Sequence, residues 1–167
     1  MNISEYQNYH ETKSHTTADF PYNTYLCSIP RDFPGVPLHW HSEAELIVIK
    51  KGRGIVSSDF QKKAVTSGDI VLIRPGQLHS IEQDANHVME YENIIFKPDL
   101  LISGKDDLCA IQFITPLMEG QIPSVTYLTS ALSWYQPASE CIRQIDLLCA
   151  TRPDGYQLAI KGHLFQF

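Results

Sequence analysis

The chain has 167 residues, 43% apolar and 19% charged, which excludes a disordered protein and suffices for one domain with its own core. Nineteen acidic residues against 13 basic ones give a formal net charge of −6, which disfavours direct binding to nucleic-acid phosphates. The longest apolar runs, such as residues 46–49, are too short to span a membrane, and the first residues lack the pattern of a secretory signal. We therefore expect a cytoplasmic protein without a membrane partner.

Residues 1–20 are predicted to form an N-terminal arm. The segment is polar, contains two histidines and shows neither helical nor strand periodicity. We expect such a segment to be ordered only where another part of the protein holds it.

Turn-forming sequences then recur every six to nine residues. They lie at residues 51–54, 57–59, 66–69, 74–77 and 83–86, and short apolar runs occupy residues 46–49, 54–56, 70–73 and 94–96. This spacing is typical of an all-β sandwich or barrel. It predicts a β-rich core from about residue 22 to 97, within a barrel domain assigned to residues 21–130.

Residues 131–167 are predicted to be helical. Ile142, Ile145 and Leu148 lie at helical spacing, and the apolar pattern of a second helix runs from Tyr156 to Phe167. The apolar surface of this second helix is wider than one packing contact requires, which predicts a homodimer with Ile160, Leu164 and Phe167 at its interface. Because the helical pattern is still strong at Phe167, we also expect the chain to continue into a further domain.

A group of histidines and one glutamate carries the strongest chemical signal. His39 and His41 are two residues apart and so face the same side of a strand, and Glu45 shares their parity. His79 follows the turn at Pro75, where an antiparallel neighbour would bring it alongside. These four side chains are a ligand set for one divalent transition metal such as Zn, Ni, Fe or Mn. The same residues also suit a polar pocket for an organic ligand, or a hydrogen-bond network without a ligand.

Other residues near this group are assigned different places. Glu43 has the parity of Glu45 but falls where the chain must turn, so we do not count it as a ligand. Trp40 has the opposite parity and is expected to face away and to pack under the arm or a helix. The remaining histidines have no partner at ligand spacing and are expected in solvent or at an interface: His10, His15, His87 and His163.

The spacing of the group resembles the two motifs of the cupins. His39, His41, Glu45 and Gly52 match the first motif, and Gly68, Gly76 and His79 match the second. The second motif departs from the family pattern at two places, because its proline is displaced by one residue and Gln83 stands where asparagine is usual. The resemblance implies a mainly β fold, a cupin-like double-stranded β-helix (jelly-roll barrel) followed here by two C-terminal helices, with His39, His41, Glu45 and His79 lining the site.

A second resemblance covers most of the chain. Residues 33–52, 68–79, 94–100 and 155–162 resemble, in this order, the sensor domain of AraC-type transcription regulators. The resemblance implies a barrel that binds a small effector, a sugar or small organic acid, and helices that pair two subunits. It also implies a helix-turn-helix domain that binds DNA beyond residue 167.

The sequence leaves three functions open, of which the third, a non-catalytic storage or scaffold cupin, is neither supported nor excluded by the short link between Gly52 and Gly68. The favoured one is the effector-sensing and dimerisation domain of an AraC-type regulator, without enzymatic activity. The alternative is a free-standing metal-dependent cupin enzyme, a dioxygenase or an isomerase, in which the same four residues would hold a catalytic metal.

Overall fold

The computed structural model describes residues 2–104 and 106–167. Within them, the strands are β1 (Tyr22–Ile29), β2 (Gly35–His39), β3 (Ala44–Ser58), β4 (Gln61–Thr66), β5 (Ile70–Ile73), β6 (His79–Gln83), β7 (Met89–Phe96) and β8 (Tyr127–Leu128). The α-helices are α1 (Ile3–Gln7), α2 (Thr115–Met118), α3 (Tyr135–Thr151) and α4 (Tyr156–Gln166). A 3₁₀ turn at Pro98–Leu101 and a π-helical turn at Ala110–Ile114 precede α2.

The strands form two antiparallel sheets that share the long strand β3. Its first part pairs with β5 and β7, and that sheet continues to β1 on one side and β8 on the other. Its second part pairs with β4 and β6, and β6 pairs with β2. The predicted fold class, mainly β with a jelly-roll barrel followed by two C-terminal helices, is confirmed.

A sharp bend inside β3 replaces one predicted turn. Residues 51–54 were expected to connect two strands, but the chain stays in strand conformation and shifts its register between Ile49 and Lys51. Gly52 has a φ of 76°, and a Cβ at this position would lie 1.9 Å from the carbonyl oxygen of Val88. Glycine therefore allows the strand to turn from one sheet into the other without ending.

The apolar residues form two separate layers. One layer fills the barrel between the sheets and includes Ile47, Ile49 and Tyr91. The other lies between the outer face of the first sheet and the C-terminal helices, and it includes Leu46 and Val48. Residues 46–49 are apolar without a break because each face of β3 is buried in a different layer.

The C-terminal helices pack on the barrel and cover the side chains that are predicted at the dimer interface. Ile160 is fully buried and Leu164 is 6% exposed, and both belong to the layer between sheet and helices. Phe167 is half-buried against the same layer. These three side chains therefore make their packing contacts within one chain, because the wide apolar surface of α4 packs against the sheet of the same chain. The large apolar side chains that α4 leaves exposed are Leu158 and Phe165.

The N-terminal arm is ordered across the barrel. The ring of Tyr6 stacks on Trp40 with centroids 4.6 Å apart, and the indole N–H of Trp40 donates to the carbonyl of Tyr6 at 2.9 Å. The Tyr6 hydroxyl donates to the carbonyl of Gly76 at 2.5 Å. Trp40 thus faces away from His39 and His41 and packs under the arm, as its parity predicts. No helix in the described part of the chain is long and apolar enough to span a membrane.

Candidate metal centre and its pocket

Three strands bring the predicted histidines and glutamate together. His39 ends β2 and lies directly opposite His79, the first residue of β6. His41 follows β2 after a single residue, and Glu45 lies on β3. The two motifs are therefore joined by the pairing of β2 with β6, a contact between residues 40 apart in sequence.

The four side chains form one compact cluster. One potential ligand atom from each of His39, His41, Glu45 and His79 lies within 4.8 Å of the others. The Oε2 atom of Glu45 is 3.1 Å from His41 Nε2 and 2.9 Å from His79 Nε2. Glu45 and His79 are almost fully buried. No other group of this kind is present among residues 2–104 and 106–167.

Backbone carbonyls orient two of the imidazole rings. His39 Nδ1 lies 2.9 Å from the carbonyl oxygen of Pro37, and His79 Nδ1 lies 2.9 Å from that of Gln77. Because a carbonyl can only accept, each Nδ1 carries the proton and each Nε2 is left to face the cluster. This is the arrangement in which a histidine binds a metal through Nε2.

Burial and mutual charge set the protonation of the cluster. Burial alone would raise the pKa of Glu45, but its contacts with His41 and His79 outweigh this and hold the pKa well below its ordinary value. Burial lowers the pKa of His39, and the neighbouring His79 lowers it further. Burial opposes a charge on His41, yet Glu45 and Glu43 together raise the pKa of this imidazole. The cluster therefore pairs an ionised carboxylate with a neutral His39.

The donor set fits a divalent transition metal. His79 Nε2 is buried and faces Glu45, but the two atoms do not have the geometry of a hydrogen bond. A cation between three imidazole nitrogens and one carboxylate would satisfy both atoms at once. Glu43 is buried on the other side of His41, with its Oε2 3.6 Å from His41 Nδ1. It lies outside the four-residue cluster and is placed to orient His41.

A cavity of about 320 Å³ between the two sheets opens beside the cluster. Its wall includes His39, His41 and Glu45 together with residues of β1, β6 and β7. The Oη atom of Tyr91 and the Oδ1 atom of Asn93 are buried without a hydrogen-bond partner. A volume of this size accommodates a small organic molecule, and unpaired polar atoms in its wall are groups that a ligand can satisfy.

The arm contributes residues to this cavity that the sequence prediction missed. Glu11, Lys13 and His15 lie in its wall. His15, expected in solvent or at an interface, is buried, and its Nε2 lies 3.1 Å from Glu11 Oε2. The expectation for His15 is wrong because the arm folds back over the barrel, a non-local contact that residue spacing does not reveal. The only signal in the sequence was the four-residue separation of Glu11 and His15.

A family model described as the AraC-like ligand binding domain matches residues 23–167. This chain belongs to that family. The match covers β1 to α4 and so includes the cluster and the residues of the barrel that line the cavity, but not the arm.

The AraC-like chain is also similar to a curated protein and to solved structures. The protein, an uncharacterized HTH-type transcriptional regulator YdeC of Bacillus subtilis, is 25% identical over 159 residues, which are 95% of this chain and 54% of that protein. The chain thus spans about half the length of its curated relative. A cupin protein of Bacteroides fragilis is 24% identical with a TM-score of 0.43, over 46% of this chain and 66% of its own. A protein of Thermotoga maritima described as a predicted oxalate decarboxylase is 28% identical with a TM-score of 0.40, over 44% of this chain and 64% of its own.

Proposed function

We propose that this AraC-like chain is the effector-sensing and dimerising domain of a cytoplasmic transcription regulator. It binds a small molecule in the barrel cavity and thereby controls DNA binding by a part of the protein outside these 167 residues. The observation that carries the proposal is the cavity itself, with its His/Glu cluster and its unpaired Tyr91 and Asn93. The helix-turn-helix description and greater length of the curated relative support the DNA-binding part.

The wall of the cavity favours a small polar effector, a sugar or a small organic acid. Asn93 Oδ1 can only accept, so it requires a hydroxyl or amine hydrogen from the ligand. The Tyr91 hydroxyl can donate to a ligand oxygen. Lys13 at the mouth adds a positive charge that suits a carboxylate.

A divalent transition metal is the second component that we propose. His39, His41, Glu45 and His79 would hold it, and when bound it supplies a Lewis-acidic position for an oxygen atom of the effector. Pro37 and Gln77 fix the tautomers of His39 and His79 in the state that this requires. Elemental analysis of the purified chain should find about one metal ion per chain, lost in His41→Ala, and a metal-free wild type would contradict this component.

Strand β7 connects the cavity to the helices. Tyr91 and Asn93 face the cavity, whereas the residue between them, Glu92, lies buried on the opposite face of the sheet, which α3 covers. Lys50 Nζ lies 2.7 Å from Glu92 Oε2 and 2.5 Å from Asp146 Oδ2 on α3. A ligand that shifts β7 would therefore act on α3 through a charged contact and on α4 through the apolar layer. This gives a route by which the effector could alter the arrangement of the two subunits in the proposed dimer.

Thermal unfolding with defined probes tests the effector site. Glucose, arabinose, citrate and malonate are added separately to wild type, to Asn93→Leu, and to the control Asn86→Leu, whose side chain lies in an exposed loop. We expect at least one probe to raise the melting temperature of wild type and of the control but not of Asn93→Leu. Equal stabilisation of all three would place binding outside the cavity and contradict the proposal.

The dimer that we propose uses the exposed face of α4. Leu158 and Phe165 are seven residues apart and so share one face, and Leu158 is 75% exposed. Leu158→Glu should reduce the mass measured by light scattering from two chains to one. Leu26→Glu is the matched control, because Leu26 is also 75% exposed but lies on β1. A wild-type monomer, or an unchanged dimer in Leu158→Glu, would contradict this interface.

The cluster also supports the alternative function, a metal-dependent cupin enzyme, because it faces a cavity and not a closed core. A dioxygenase of this kind would consume O₂. An oxygen electrode with the iron-loaded chain and the same probes distinguishes the two functions, and we expect no consumption above that of the His41→Ala variant.

A further inference from the structure

The N-terminal arm is attached to the residue that separates two of the cluster's histidines. The backbone N–H of Trp40 donates to the carbonyl of Tyr9 at 3.0 Å, and the backbone N–H of Glu11 donates to the carbonyl of Trp40 at 2.9 Å. These bonds form an isolated parallel bridge between His10 and Trp40. Because the flanking residues His39 and His41 belong to the cluster, the arm and the cluster depend on the same three residues of backbone.

The same pairing places an acidic side chain of the arm against the cluster. Glu11 Oε2 lies 3.5 Å from His39 Nε2, the ring nitrogen that faces the cluster. The same oxygen lies 3.1 Å from Nε2 of His15, so this carboxylate connects a histidine of the arm with a histidine of the cluster. A carboxylate in this position can bind a cation held by His39 or offset its charge.

We infer that Glu11 is an additional carboxylate of the metal centre, carried by the arm, so that cation binding at the cluster and closure of the arm over the cavity are coupled. The inference rests on the metal in the proposed function. Among the four ligands of a divalent cation only Glu45 is a carboxylate, so the ligands themselves leave one positive charge of the cation uncompensated. Glu11 neutralises that charge, which stabilises both the bound cation and the closed arm.

The coupling is reciprocal and has a consequence for the cavity. If the cation favours the closed arm, the closed arm raises the affinity for the cation by the same factor. Glu11, Lys13 and His15 form part of the cavity wall only while the arm is closed. The cation would therefore form one side of the effector pocket. By holding the arm closed, it would also complete the rest of the wall.

Two measurements on the same variants test the inference. Zn²⁺ and Mn²⁺ affinities are determined by competition with a chelator. The accessibility of the arm is followed as the rate of tryptic cleavage after Lys13, an exposed residue of the arm, with and without the ion. The variants are Glu11→Gln and the control Glu5→Gln, which makes the same charge change in the same arm at a residue whose side chain bonds only to the backbone of Asn2.

In wild type and in Glu5→Gln, the ion should slow cleavage after Lys13 by at least about tenfold. In Glu11→Gln, the ion affinity should fall by about tenfold or more, the range found for residues that support metal ligands, and the ion should no longer slow cleavage. Glu11→Gln with the affinity and ion-dependent protection of wild type would overturn this inference and leave the metal centre intact. A wild-type chain that binds neither ion would overturn both.

Discussion

The two faces of strand β7 lie in contrasting surroundings. Its outward residues Ile94 and Phe96 join the apolar layer under the helices. Its inward residues Tyr91 and Asn93 keep buried polar atoms without partners beside a cavity. A buried polar atom without a partner costs free energy, so a strand under selection for stability alone would not keep two of them on one face. The difference indicates that the outer face stabilises the fold and the inner face binds a ligand.

The largest expected effect is a loss of packing in the outer layer. Ile160→Ala removes a fully buried side chain between α4 and the sheet, and it should lower the free energy of unfolding by about 2–5 kcal/mol. Chemical denaturation monitored by circular dichroism measures the change.

Gln157→Ala is the control on the same helix. Its side chain is exposed and outside the proposed dimer contact, and we expect a change within about 0.5 kcal/mol. Similar effects of the two substitutions would mean that α4 does not pack through Ile160. That result would contradict the conclusion that the outer layer stabilises the fold.

Local patterns in the sequence predicted much of the fold. Residues 46–49 and 70–73 are apolar and bounded by turns, and both lie in strands. The bend at Gly52 resembled a turn because glycine serves both purposes, and only the pairing of β3 with two sheets distinguishes them. The burial of Ile160 could not be separated from a dimer contact, since an amphipathic helix presents the same pattern to either partner.

The candidate site shows the same division between local and distant contacts. His39, His41 and Glu45 follow from strand parity, and His79 follows from the resemblance to the cupin motifs. Glu11 reaches the cluster because the arm pairs with Trp40, a contact that no periodicity encodes. Asn93 was missed because it stands among other polar residues of β7 and has no partner at ligand spacing, and its meaning appears only once a cavity lies beside it.

A smaller effect of opposite sign is expected on the inner face. Asn93→Leu replaces an amide whose Oδ1 is buried without a partner by an apolar side chain of similar size. The free energy of unfolding of the ligand-free chain should rise by about 1 kcal/mol, since the unsatisfied acceptor is removed. The same denaturation experiment measures it, and a marked loss of stability would show that Asn93 serves the fold and not a ligand.

The smallest effect concerns Glu92, a charged residue of the outer face. Burial and the nearby Asp146 raise its pKa above the ordinary value of 4.5, although Lys50 opposes the shift. Between 4.5 and the raised value, the folded chain holds a proton on Glu92 that the unfolded chain has released. The contribution of Glu92 to stability therefore falls as the pH rises through this range.

Glu92→Gln cannot titrate, so the difference in unfolding free energy between wild type and this variant should decrease from pH 4 to pH 7. Glu140→Gln provides a control of opposite sign, because hydrogen bonds from Arg143 lower the pKa of the exposed Glu140 to about 2. The difference between wild type and that variant should stay level from pH 5 to pH 7 and decrease as the pH falls toward 2. A wild-type advantage over Glu92→Gln that is constant with pH would mean that Glu92 is solvated. An advantage that grows with pH would mean that the ion pair with Lys50 outweighs burial and Asp146, and either result would contradict this prediction.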